Sequence, residues 1–212
     1  MCPVRVKICG ITTPREALAA VEEGVHALGF VFAASPRRIS PEKAAAIIKE
    51  LPPFIGKVGV FVNEEDEKVR EIAAYCRLDT LQFHGEETAE YCRRFPTYKI
   101  IKTFLASSSL SLERCREYLV SAILLDTKYT DKKGGGGQTF NWRLARPFYK
   151  RTIPLILAGG LNQENIITAL DLLEPYGVDI SSGVEKDGLK DKHMIRAFME
   201  QIRRWEYQQL SQ

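Results

Sequence analysis

Short apolar, β-branched runs alternate with amphipathic stretches along the whole chain. The runs fall at 4–8, 27–32, 57–62, 80–83, 99–103, 122–126, 155–157 and 178–180. Each is short and nearly all apolar, the pattern of parallel strands covered on both faces. Between them, apolar positions recur at helical spacing over 14–23, 41–51, 65–76, 88–95, 112–118, 142–149, 163–173 and 192–205. Thr13-Pro14 with Glu16, and Ser40-Pro41-Glu42, place a capping side chain ahead of a proline at the first helical position. Asn162 begins the helix that follows Gly159-Gly160, and the acidic run Glu64-Glu65-Asp66-Glu67 complements a helix dipole. The polar tail 206–212 is expected to fray.

Eight strand–helix units with no long Pro/Ser linker predict an α/β protein, a closed (β/α)8 TIM barrel formed by residues 1–212 as a single domain. The chain is shorter than the ~250 residues typical of that fold, so its loops must be tight. A doubly wound open sheet would offer fewer strands and a glycine fingerprint after the first. Cys9-Gly10-Ile11-Thr12 is not that fingerprint.

Composition narrows the class. A chain of 212 residues, 45% apolar, can bury one substantial core. It has no apolar stretch near the roughly 20 residues of a membrane span, and its first residues lack a signal peptide's pattern, so a cytoplasmic protein with no membrane partner is expected. The net charge of +3 comes from scattered basic residues mixed with acids, which argues against nucleic acid and suits a small anionic substrate. The five cysteines form no CxxC pair and no metal-type spacing with His26, His84 or His193. Free thiols and no metal are expected, with Cys76, Cys92 and Cys115 packing inside helices.

In such a barrel the chemistry sits at the carboxyl ends of the strands. There the run Leu124-Leu125-Asp126-Thr127-Lys128, followed by Gly134-Gly135-Gly136-Gly137, sets a carboxyl group beside a glycine-rich cover, unless the glycines are a plain linker. Gly159-Gly160 and Ser182-Gly183, ending neighbouring strands seven and eight, leave amides open to a phosphate dianion, unless they are ordinary turns. Cys9 is the candidate base if its thiolate is stabilised, and a packing residue otherwise. Lys7 shares its face, points into the barrel, and needs a partner in Asp126 or Asp179. Asp126 is the candidate acid, if desolvation or a nearby anion raises its pKa; the alternative is a carboxylate that only pairs with Lys7. Arg37 or Arg38 offers a bidentate grip on a carboxylate, or a solvated corner. His84 is a donor to a substrate oxygen or a structural histidine, and Asp179 is placed to meet an amine or hydroxyl.

These residues, in this order, resemble the phosphoribosylanthranilate isomerases. The likeness runs through Lys7-Ile8-Cys9-Gly10-Ile11-Thr12, Leu28-Gly29-Phe30-Val31-Phe32, Ser35-Pro36-Arg37, Val58-Gly59-Val60-Phe61-Val62-Asn63 and Leu81-Gln82-Phe83-His84-Gly85-Glu86. It continues in Leu125-Asp126-Thr127, the glycine run with Thr139-Phe140-Asn141-Trp142, Leu157-Ala158-Gly159-Gly160-Leu161, and Val178-Asp179-Ile180-Ser181-Ser182-Gly183-Val184-Glu185. The resemblance implies an intramolecular oxidoreductase of tryptophan biosynthesis. Its reaction is the Amadori rearrangement of N-(5-phosphoribosyl)anthranilate to 1-(2-carboxyphenylamino)-1-deoxyribulose 5-phosphate, without metal or cofactor. It implies that Asp126 protonates the ribose ring oxygen, that Cys9 takes the C2 proton, and that Arg37 binds the anthranilate. Gly136, Gly137, Gly159, Gly160, Ser182 and Gly183 then form the phosphate loops. The unbroken glycine run, Gln138 and Asn141 depart from the usual family pattern, which puts loop closure and affinity in question. Another phosphosugar barrel enzyme would commonly use paired aspartates or a metal; a silent binding module would not need both acid and base. Monomer and homodimer are both compatible with the sequence.

Overall fold

The computed structural model describes residues 3–106, 110–126 and 153–211. Its elements run β1 (Arg5–Cys9), α1 (Pro14–Glu22), β2 (Ala27–Val31), α2 (Pro41–Lys49), β3 (Gly56–Phe61), α3 (Asp66–Tyr75), β4 (Thr80–Phe83) and α4 (Ala89–Arg93). They continue as β5 (Lys99–Leu105), α5 (Leu112–Arg116), β6 (Ala122–Asp126), β7 (Leu155–Leu157), α6 (Ile166–Leu173), β8 (Gly177–Ile180), a hairpin of β9 (Glu185–Lys186) and β10 (Leu189–Lys190), and α7 (Lys192–Leu210). The first eight strands close into a barrel in sequence order, all pairs parallel, with β8 returning to β1. The predicted helix 142–149 and the glycine run 134–137 lie outside the described residues.

The near-continuous apolarity of the strands has a direct structural cause. Alternate residues serve two cores. One face packs under the helices, as Ile8, Leu28, Phe83, Ile123, Leu125 and Ile180 do. The other fills the barrel with a smaller cluster of Val58, Ile101, Ala122, Leu124, Ile156 and Ala158. Towards the carboxyl end the same inward register changes from aliphatic to polar: Lys7 pairs in register with Asp179, and Cys9 with Gly29.

Caps follow the sequence closely at the first helices. Thr13 and Glu16 form a reciprocal capping box, and Ser40 caps α2 with Pro41 inside. Elsewhere the bounds move. Asn162 and Asn165 close a turn on each other, so α6 starts later than 163. The C-terminal tail does not fray at 206 as expected: α7 continues to Leu210, because Glu206 accepts a hydrogen bond from Val4 N–H at 2.7 Å and Trp205 is buried with its Nε1–H on Asp171 at 2.6 Å. The β9–β10 hairpin was not anticipated. Its turn residues Asp187 and Gly188 both have positive φ, +54° and +79°, the requirement of a two-residue I′ turn that Asp-Gly meets.

Candidate active site at the carboxyl ends of the strands

Inward side chains from several strand ends reach an open cavity of about 440 Å³. Cys9 comes from β1, Arg37 from the loop after β2, Gln82 and His84 from β4 and its loop, Asp126 from β6, and Asp179 from β8. Val31, Ala33, Ala34, Val60 and Val62 form an apolar wall near Arg37, and Gly159, Gly160, Leu161, Ser181 and Ser182 form the opposite rim.

Lys7 is buried and holds both oxygens of Asp179 at 2.8 Å. Burial alone would lower its pKa, but Asp179 and the neighbouring Cys9 outweigh burial and raise it, so Lys7 stays charged. Of the two partners considered for Lys7, the structure thus selects Asp179. Asp126 faces His84 instead, with Oδ2 3.1 Å from Nε2. The Cys9 thiol is raised above its ordinary value, chiefly by burial and further by Asp179, against the opposing pull of Lys7 and Lys190. A bound cation or charge rearrangement would be needed to make it a thiolate at neutral pH.

Arg37 and not Arg38 turns toward the cavity; Arg38 is exposed and forms a backbone bridge with Val31. Gly10 makes room for it, since a Cβ there would lie 2.5 Å from Arg37 Cδ. The bidentate grip expected of Arg37 exists, but on an internal carboxylate: Nε and one terminal nitrogen donate to Glu185 at 2.6 Å each. Lys190 also donates to Glu185, and to Ser181 Oγ at 3.0 Å, while Ser181 donates to the Cys9 carbonyl at 2.9 Å. Burial would raise the Glu185 carboxyl, yet the hydrogen bonds from Arg37 and Lys190 hold it at about 2.

The two rim loops pack backbone to backbone. A Cβ on Gly183 would lie 1.9 Å from the Leu161 carbonyl oxygen. Gly159 and Gly160 adopt φ of +84° and +65°, and among the described residues no backbone acceptor takes their N–H groups. They therefore present amides to the cavity beside Ser182, as an oxyanion or phosphate cradle requires. Gly136 and Gly137 lie outside the described residues. Among the described residues no cluster of His, Cys, Asp and Glu is arranged to hold a metal ion, and no helix is long and apolar enough to cross a membrane.

Sequence reasoning missed three groups here. Lys190 and the role of Glu185 depend on the hairpin, whose signal, Asp187-Gly188, was legible. Glu87 and Lys102 form a fully buried pair at 2.7 Å on the helix side of the sheet. Lys102 also donates to the Gly85 carbonyl at 2.6 Å, and Glu87 accepts from Asn63 N–H and Gly85 N–H, which fixes the loop that carries His84. Gln82 had no assigned task. Cys76, Cys92 and Cys115 are buried as expected, each thiol pushed to about 11 by burial.

The model of the family described as N-(5'-phosphoribosyl)anthranilate (PRA) isomerase matches residues 6–201. The chain is 51% identical to N-(5'-phosphoribosyl)anthranilate isomerase of Moorella thermoacetica over 205 residues, 96% of this chain and 91% of that protein. The crystal structure of phosphoribosyl anthranilate isomerase from Thermotoga maritima superposes with a TM-score of 0.86 at 48% identity, covering 94% of this chain and 98% of that one. A second isomerase structure, in complex with reduced 1-(o-carboxyphenylamino)-1-deoxyribulose 5-phosphate, has a TM-score of 0.84 at 45% identity, with 94% and 98% covered.

Proposed function

The chain belongs to the N-(5'-phosphoribosyl)anthranilate isomerase family, an enzyme of tryptophan biosynthesis, and from this premise we propose how its own residues perform the rearrangement to 1-(2-carboxyphenylamino)-1-deoxyribulose 5-phosphate. Asp126 is the acid and Cys9 the base. One observation carries the reading: both side chains line the same cavity, from β6 and β1, beneath a rim of open glycine amides.

Asp126 gives its proton to the ribose ring oxygen as the C1–O bond breaks, and the anilino nitrogen's lone pair forms an iminium. That cation beside C2 acidifies the C2–H and stabilises a thiolate at Cys9, whose proton passes to water against the burial that holds the thiol up. The thiolate takes the C2 proton and the electron pair moves to nitrogen, forming an enolamine. Loss of the proton on O2 and gain of one at C1 completes the ketone. Over the cycle Cys9 gives one proton to water and regains one from C2, Asp126 gives one to the ring oxygen and regains one from water, and the proton lost from O2 to water matches the one gained at C1.

The substrate's three ends fit three parts of the cavity. The phosphate takes the amides at Gly159, Gly160, Ser182 and Gly183, with Gly136 and Gly137 assigned by resemblance. The aromatic ring lies on the wall of Val31, Val60 and Val62. Its carboxylate takes the guanidinium edge of Arg37 that Glu185 leaves open. Asp179 acts by keeping Lys7 charged beside Cys9, with its remaining lone pairs toward a substrate hydroxyl or amine, and His84 contacts the acid. The enzyme needs no cofactor on this reading, and its single barrel domain acts on a small molecule. A solved relative from Thermotoga maritima is described as dimeric, and a homodimer is the proposed state here too. The test is a fluorescence assay of phosphoribosylanthranilate consumption by the wild type and by Cys9→Ser. Near-wild-type turnover by Cys9→Ser would remove the thiol from the mechanism.

A further inference from the structure

Gln82 projects from β4 into the barrel, almost fully enclosed at 1% exposure, on the wall of the cavity. Its Nε2 lies 3.3 Å from His84 Nδ1 and 3.4 Å from Thr103 Oγ1. Its Oε1 is the one buried side-chain polar atom without a hydrogen-bond partner among the described residues. Such an oxygen carries a desolvation penalty, and no step of the reaction above uses it.

The His84 ring connects this amide to the acid, because its other nitrogen lies 3.1 Å from Asp126 Oδ2. An amide NH2 can only donate, so Nδ1 accepts, and the neutral ring carries its hydrogen on Nε2 and donates to an Asp126 carboxylate. That is the pair after its transferable proton has left. Turned by a half-rotation about its last torsion, the Gln82 amide presents Oε1 to a His84 Nδ1–H and to the Thr103 hydroxyl. The ring then is doubly protonated beside a carboxylate, or accepts at Nε2 from the Asp126 carboxyl O–H. Both forms hold one proton more than the first, and they differ only in which side of the 3.1 Å gap it occupies.

We propose that Gln82 is a positioning residue for the acid: its amide sets the tautomer of His84 and, through that ring, the proton held by Asp126. The inference rests on the isomerase reading above. Each amide orientation leaves one buried group unpaired, Oε1 in one and Nε2 in the other, so neither has a built-in advantage and the amide follows the proton. Ring opening takes the proton from Asp126 and returns the pair to the Nε2–H form. Water reloads it through the His84 ring, whose side chain is 31% exposed. Among the described residues, the nearby charges are paired: Asp179 across the barrel is held by Lys7, and Lys102 behind the β4 loop is held by Glu87. The Cys9 thiol on β1 is neutral until it acts.

The test reads the ring directly. The chain has three histidines, so nitrogen–proton correlation spectra of labelled protein, with a His84→Gln variant for assignment, isolate the His84 signals. In the wild type, lowering the pH should convert a ring with its hydrogen on Nε2 alone into one that carries a hydrogen on Nδ1 as the pair takes up its proton. Gln82→Met keeps the length without the amide, and the two tautomers should then mix. In Gln82→Glu a carboxylate accepts from Nδ1–H, and the ring should keep its second proton to a pH at least roughly one unit higher. Both variants should lower kcat by about 10-fold with little change in KM. The alkaline limb of the pH–rate profile, where the acid loses its proton, should move up in Gln82→Glu alone. A merely structural role would lower thermal stability and leave the tautomer and that limb unmoved, which would overturn the proposal; circular dichroism confirms folding, and Gln82→Met alone suffices if Gln82→Glu does not fold. The expected spectra without turnover of phosphoribosylanthranilate would sink the isomerase reading and leave the tautomer control standing. Turnover with an indifferent His84 would do the reverse.

Discussion

Gly29 lacks a side chain because two others occupy its space. A Cβ there would lie 2.9 Å from Lys7 Nζ and 3.0 Å from Cys9 Sγ. Three residues on two strands thus form one unit, and substitutions within it should act on the chemistry before the fold. Cys9→Ser should cost at least roughly 100-fold in kcat, since a hydroxyl is too weak a base, with an unchanged circular dichroism spectrum. Lys7→Met removes the strongest influence holding the Cys9 pKa down. Its rate deficit should therefore shrink as pH rises, and a pH-independent deficit would show that Lys7 does not act through the thiol. Arg37→Ala should mainly raise KM, because in the proposed complex the guanidinium holds the substrate carboxylate and touches no reacting atom. Steady-state kinetics with saturating substrate separates these effects.

At the scale of elements, loops and a hairpin decide what the strands deliver. Gly183 is fixed by the Leu161 carbonyl, so Gly183→Ala must push the β7 and β8 loops apart. The expected cost is about 1–3 kcal/mol of stability. Inorganic phosphate, measured by titration calorimetry, should bind more weakly as well, and intact phosphate affinity would sever these loops from the phosphate site. Most barrel strands and several helix starts were legible, because two-sided apolar runs and Ser/Thr-Pro caps are local signals. The short hairpin was legible too, in Asp187-Gly188, but a two-residue strand carries no periodicity to draw attention to it. Lys102 and Glu87 left no trace in sequence, because they sit 15 residues apart and meet only once β4 and β5 pair.

For the molecule as a whole, the Glu185 cluster ties the β2 loop, the hairpin and β8 together, and its charge sets an acid limit on stability. The Glu185 carboxyl is held at about 2 in the folded state against 4.5 as a free group. A depressed pKa gives stability that is full above the free value and is lost as pH falls through the folded one. Glu16, whose carboxyl caps α1 and accepts from Lys190 N–H, is lowered as well and adds in the same direction. Denaturant unfolding should therefore show a loss of roughly 2–3 kcal/mol from Glu185 between pH 4.5 and 2. Glu185→Gln should abolish that part of the slope, and an unchanged slope would mean that the cluster does not couple to folding.

The chain by itself determined the barrel, the strand ends that carry Cys9 and Asp126, and the glycine pairs at the rim. These follow from alternation, caps and punctuation, all properties of neighbours in sequence. Closure of the barrel decided the rest: that Lys7 takes Asp179, that Asp126 takes His84, and that Arg37 is already engaged by Glu185. Partner choice among charges depends on distance and on what water is excluded, and both are set only when remote strands come into register.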